Sequence, residues 1–167
     1  MGYSTMKRDH SHFVGPIGGL GGKAANNLAK ETDLAICIGT KLADFTTGSW
    51  ANFENPEFKL VSINIARHDA NKHLAEAVIG DAKVTLTELS NAIGDWKSSD
   101  SWHKKSQVEL KSWNEYVDKE SGPTNQELPS YAHAVGAIYR NSDPTDIAVT
   151  AAGGLSLIHI SEPTRLA

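Results

Sequence analysis

The 167-residue sequence predicts an α/β fold built on a Rossmann-like, doubly wound parallel sheet. Two observations predict it. The runs "DLAICIG" (33–39) and "KLVSINI" (59–65) are short, rich in isoleucine and valine, and nearly free of polar alternation, as strands covered on both faces are. Between and after such runs lie stretches of helix-forming composition, and strand alternating with helix is the pattern of an α/β domain. Hydrophobic residues at 40% and charged residues at 22% fit a soluble globular protein. The net charge of −4 supplies no attraction toward nucleic acid or an anionic membrane. A single cysteine, Cys37, excludes an internal disulfide and a multi-cysteine zinc site. Its apolar neighbours predict a buried, inert thiol and fit a reducing, cytoplasmic location. No apolar run approaches the roughly 20 residues that cross a bilayer.

Taken in order, "MGYSTMKRDHSH" has neither the apolar core of a signal peptide nor a helix or strand pattern, and reads as a start made mid-domain. "GPIGGLGG" (15–22) predicts a flexible loop and "KAANNLAKE" (23–31) a helix. Two strands follow, and "AEAVIGD" (75–81) is a third, weaker one. Asp81 then opens "AKVTLTELSNAIG", in which Val84, Leu86, Leu89 and Ile93 recur at roughly helical spacing. From Asp95 to Glu120 the chain turns polar and charged, with Trp102, Leu110, Trp113 and Val117 forming one stripe of a long helix. "SGPTNQ" breaks it, "LPSYAHAVGAIYR" predicts another helix with Pro129 in its first turn, and "TDIAVTAAGG" reads as a strand running into glycines.

Chemistry-bearing motifs are few. "GLGGKA" (19–24) fits G-x-G-x-x-A before a helix, whose N-terminus can hold phosphate. The preceding "HSHFV" makes a poor strand, and no acidic residue ends a second strand at the required spacing, so a plain loop is the competing reading. His10 and His12 with Asp9 lie in a fraying end, and His68 and His73 are five apart, which separates them around a helix. Metal binding is not expected. No Ser–His–Asp or Cys–His spacing stands out, and the scattered tryptophans lack the basic stripe that stacking on nucleic acid uses.

Three segments, "VGPIGGLGGKAANNLAKETDLAICIGTKLADFTTGSW", "VSINIARHDANKH" and "DIAVTAAGGL", resemble the trihydroxycyclohexane-1,2-dione hydrolases, thiamine-diphosphate enzymes of myo-inositol catabolism. The likeness runs from about residue 8 to 155, and "GTKLADFTTGSW" is its most specific piece. It implies a truncated middle α/β domain at 8–95, a linker with a long helix at 96–125, and the first helix and strand of the thiamine-pyrophosphate-binding domain at 126–154. "LSLIHISEPTR" resembles instead the translation of a transposase adapter used in sequencing libraries, so residues 155–167 are read as an artefact.

By the same resemblance the full-length parent is a cytoplasmic homo-oligomer that opens the ring of a cyclic dione by C–C hydrolysis with thiamine diphosphate and Mg2+. The activating glutamate and the metal motif fall outside this chain, which therefore carries no catalytic residue and is expected to be inactive alone. Only Ala152, Gly153 and Gly154 match a place that approaches the cofactor, and of these Gly153 and Gly154 are the candidate cofactor-binding residues. Gly39, Thr40, Lys41 and Asp44 match a strand-end loop that lies along FAD in flavin-containing relatives, so FAD or another nucleotide there stands against a purely structural loop. That loop and the glycine loop could flank one crevice. Three alternatives remain: an acetohydroxyacid-synthase-like enzyme with thiamine diphosphate and FAD, a sirtuin-type deacylase, which one cysteine disfavours, and a non-catalytic nucleotide-binding domain.

Overall fold

The computed structural model describes residues 6–7, 9–143 and 145–147. The chain divides into two compact units, Met1–Asn114 and Glu115–Ala167.

The first unit opens with helix α1, Lys23–Glu31. Its buried side chains are Ala24, Ala25, Leu28 and Ala29. Three of the four are alanine, so the helix can lie close to whatever covers that face. Strands β1 (Leu34–Ile38), β2 (Lys59–Asn64) and β3 (Glu76–Ile79) form one sheet in the order β1-β2-β3, parallel throughout. Cys37 lies beside Ser62 and Ser62 beside Ala77, which puts these three on one face. Ile38, Ile63 and Val78 align in the same way on the other. The predicted parallel pairing of the first two strands is therefore found.

The crossovers are shorter on helix than the alternation suggests. Between β1 and β2 the only helix is α2, Asp44–Thr47, and between β2 and β3 there is α3, Arg67–Ala70, then a 3-10 turn at Lys72–Leu74. Helix α4, Ala82–Ile93, forms where the stripe predicts it. Asp81 caps it, its carboxylate accepting from the N–H groups of Lys83 (2.9 Å) and Val84 (3.1 Å). Gly94 ends it at φ 55° and ψ −126°, a backbone conformation that favours glycine.

Coverage of the sheet departs from expectation. β2 is enclosed, with Leu60, Ser62, Ile63 and Asn64 all buried. On β1, however, Leu34, Ile36 and Ile38 keep 44%, 45% and 39% of their surface exposed. No residue of α4 is buried, and Val84, Leu86 and Ile93 are exposed. The double coverage that the apolar runs predict holds for the middle strand alone. Cys37 is accordingly half-buried rather than buried, although burial still pushes its thiol up to about 11, so it is protonated at neutral pH. The Ser62 hydroxyl, enclosed in the centre of β2, has no hydrogen-bond partner.

Helix α5, Asp100–Glu120, begins in the first unit and ends in the second. Within the first unit it is tied to α1 by Asn27 Nδ2 donating to Glu109 (2.8 Å) and by the Lys105–Glu31 ion pair. Trp102, Leu110 and Trp113 of the predicted stripe are half-buried, whereas Val117 is exposed. In the second unit, helix α6 (Tyr131–Asn141) starts with a capping box: Ser130 and His133 each bond the other's backbone N–H. Pro129 thus precedes the cap instead of occupying the first turn. Among the described residues no helix is long and apolar enough to cross a membrane. The strand expected in "TDIAVTAAGG", the glycines Gly153 and Gly154, and the tail 155–167 fall wholly or mostly outside the described residues.

Candidate functional site

The carboxyl ends of β1 and β2 meet a loop in which, among the described residues, positive-φ backbone gathers. Gly39 leaves β1 at φ +62° with open space where a Cβ would stand. Its N–H donates to the Ile63 carbonyl at 2.9 Å, so the ladder continues one residue past the strand. Asn64 joins the two strand ends: its Nδ2 donates to the Thr40 carbonyl (3.0 Å) and its Oδ1 accepts from the Ala66 N–H (2.9 Å). The Thr40 hydroxyl faces the Leu42 N–H at 3.4 Å. Leu42, Ser49, Trp50, His73 and Leu74 all adopt positive φ without being glycine, and sparsely populated backbone of this kind gathers at switch and ligand regions. The His73 ring stacks on Trp50 with centroids 4.1 Å apart, and its Nε2 lies 3.0 Å from the Leu42 carbonyl. This pair bridges the β1–β2 and β2–β3 connections. No sequence signal links two aromatic rings so far apart, and the helical spacing assumed for His68 and His73 does not occur, since His73 lies beyond α3.

Charge collects beside this loop. Lys72 Nζ pairs with Asp69 at 2.7 Å and also faces the Lys41 carbonyl at 3.4 Å. The hydrogen bond from Lys72 holds the Asp69 carboxyl below the usual carboxylate range, with the charges of Lys72, His68 and Lys41 adding to it. Lys41, His68 and Lys72 thus surround one carboxylate. Asp44 opens α2 and is exposed, as is Lys41. Such a cluster can meet an anionic or polar group, but Asp44 and Asp69 offset much of its positive charge.

The glycine loop is brought against the same region and closes on it. Gly18 exchanges two hydrogen bonds with the Asn26 amide (2.8 and 3.0 Å), Asn52 donates to that amide (3.1 Å), and Gly19 N–H donates to the Phe45 carbonyl (2.8 Å). A Cβ on Gly18 would lie 2.1 Å from the Phe45 oxygen. At Gly22, which caps α1, a Cβ would lie 3.1 Å from the Trp113 indole nitrogen. The two loops therefore meet backbone to backbone instead of flanking an open crevice there. Residues 13–17 form no strand, so the dinucleotide pattern lacks its first element.

A cavity of about 850 Å³ does open on the other side of Gly39, between the end of β1 and α4, lined by Ile38, Lys83, Leu86 and Ser90 among others. The Asp81 carboxylate already takes the first free N–H groups of α4, which disfavours an anion at that helix end. His12 N–H donates to His10 Nδ1 (3.1 Å), and the His12 ring lies against His103. Among the described residues no group of three His, Cys, Asp or Glu side chains is placed to hold a metal ion. These residues do not fit a Mg2+–diphosphate group.

The family model described as thiamine pyrophosphate enzyme, central domain, matches residues 1–89. The chain is 38% identical over 118 residues to the 3D-(3,5/4)-trihydroxycyclohexane-1,2-dione hydrolase of Clostridium perfringens, a match covering 71% of the chain and 18% of that protein. It is 47% identical over 92 residues to 3D-(3,5/4)-trihydroxycyclohexane-1,2-dione hydrolase 2 of Bacillus cereus, covering 55% and 14%. With the Bacillus anthracis protein of the same hydrolase name the identity is 35% over 153 residues, covering 81% and 23%. The chain spans less than a quarter of the length of these relatives.

Proposed function

The chain belongs to the thiamine pyrophosphate enzymes, whose central domain it carries in residues 1–89, and from that premise we propose that its parent opens the ring of a cyclic trihydroxy-1,2-dione. The observation that carries this reading is the hydrolase name common to the relatives matched along most of the chain. In the full-length protein, thiamine diphosphate with Mg2+ supplies the electron sink for hydrolytic C–C cleavage. On this reading the residues that hold that group lie outside those described here, Gly153 and Gly154 among them, and the central domain contributes scaffold. The parent is a cytoplasmic homo-oligomer with a small-molecule substrate, and neither nucleic acid nor a membrane is its partner.

The expected result is thiamine-diphosphate-dependent dione hydrolysis by the full-length protein and none by this chain above a no-enzyme control. Turnover by the chain alone, or by the full-length protein with thiamine diphosphate removed, overturns the reading.

The loop of Gly39, Thr40, Lys41 and Asp44 is in this reading chiefly structural, and any nucleotide it accepts depends on the Lys41 ammonium. Titration of the chain with FAD, NAD and ADP tests this. Any binding seen should weaken about tenfold in Lys41→Ala, the loss of one charge-assisted contact. Binding that Lys41→Ala leaves unchanged moves the site to the glycine loop before α1.

A further inference from the structure

We propose that residues 9–13 form a pH-sensitive clasp on α5, closed while His10, His12 and His103 are neutral and released when they take up protons. It uses neither the dione chemistry nor the family membership, so either reading can fail without the other.

The end that the sequence leaves free to fray is held in the structure. Phe13 N–H donates to the His10 carbonyl at 2.8 Å, closing a turn. Across to α5, the Gln107 side-chain amide donates to the Ser11 carbonyl. The His12 ring lies against His103 with centroids 4.6 Å apart, and His10 meets His12 edge-on at 5.5 Å. Ser106, itself buried, donates its hydroxyl to the His103 carbonyl at 2.7 Å on the same turn of α5.

Two of these contacts depend on neutral imidazole. His10 Nδ1 accepts the His12 N–H at 3.1 Å, which a ring nitrogen carrying its own proton cannot do. The packed rings of His12 and His103 repel once both are charged, and histidine takes its charge between about pH 8 and pH 5. The surroundings compensate little. Asp9 on the segment and Asp100, one turn before His103, are the adjacent carboxylates, and among the described residues no ion pair joins either to a histidine. Lys7 and Lys104 only add positive charge. From α1 and β1, a groove of about 450 Å³ sets Ala25, Leu28, Ile36 and the protonated Cys37 thiol toward His12 and His103, and none of these carries a charge. Glu31 of α1 is taken by Lys105. Acid therefore opens the clasp and widens the groove beside Trp102.

Amide hydrogen exchange of the whole chain, corrected for its intrinsic pH dependence, tests this. Protection of the His12 and Phe13 amides should fall about tenfold or more from about pH 7.5 to about pH 5.5, while the β2 amides keep theirs. In the double variant His10→Asn, His103→Phe the fall should disappear. The asparagine oxygen still accepts the N–H two residues on, and the phenyl ring keeps the packing without a charge. No fall in the unaltered chain, an equal fall in the double variant, or a parallel fall in β2 overturns the proposal. So does a lack of protection at neutral pH, because the segment is then not docked. If the double variant loses β2 protection, His103→Gln replaces it. A smaller fall is then the expected result, and an unchanged one overturns the clasp.

Discussion

Alanine at Gly18 is expected to unfold much of the first unit's loop junction, lowering stability by about 3 kcal/mol or more. Two costs add. Gly18 sits at φ +106°, outside the left-handed well that other residues occasionally enter, and the new Cβ would lie 2.1 Å from the Phe45 oxygen and 2.9 Å from the Thr46 oxygen. Both obstacles are backbone, which cannot swing aside as a side chain does. Relief requires the 15–22 loop to lift, and lifting breaks the Asn26–Gly18 pair and the Gly19–Phe45 bond. Urea unfolding followed by tryptophan fluorescence measures the loss. A change within 1 kcal/mol would show that the loop is not held as described. The comparison substitution is Gly39→Ala, where a Cβ meets open space and the strain of φ +62° is the only penalty.

Ile63→Ala is expected to cost about 2–5 kcal/mol, the range for emptying a packed aliphatic site. Ile63 is 2% exposed at the centre of the middle strand, and its neighbours Ile38 and Val78 leave it no route to solvent. Ile36→Ala, on the same face but 45% exposed, should cost about 1 kcal/mol in the lone chain because half its surface is already wet. The ratio of the two is the informative number. Equal losses would mean that the face of β1 is covered after all.

The segments that were legible share one property: their signal is local. Lys23–Glu31, Leu34–Ile38, Lys59–Asn64 and Ala82–Ile93 each declare themselves by composition or period within a dozen residues, and Asp81 declares a cap by its position before an apolar stripe. The strand-end loop was legible as a place where chemistry gathers, because glycine, hydroxyl, lysine and aspartate follow an apolar run. Legibility stopped at pairings between distant segments. That His73 stacks on Trp50, that Asn26 joins Gly18 to Asn52, and that Lys72 draws Asp69 toward Lys41 depend on how three connections fold over one sheet end.

The amino-acid sequence by itself therefore determined the fold class, the parallel order of β1 and β2, and the kinship with thiamine-diphosphate enzymes, since each rests on patterns a few residues to a few dozen residues long. Tertiary structure alone decided coverage. The apolar run of β1 looks the same whether one face or two are buried, because transfer out of water is favourable for either face and leaves no separate mark in the residues. Only the placement of α4 and the absence of any strand beside β1 among the described residues distinguish an enclosed β2 from a β1 with an exposed row and an open edge. The same holds for the glycines of 15–22. Their freedom is written in the sequence, but its use, packing one backbone against another at Phe45 and leaving no open cradle at that contact, is a fact of three dimensions.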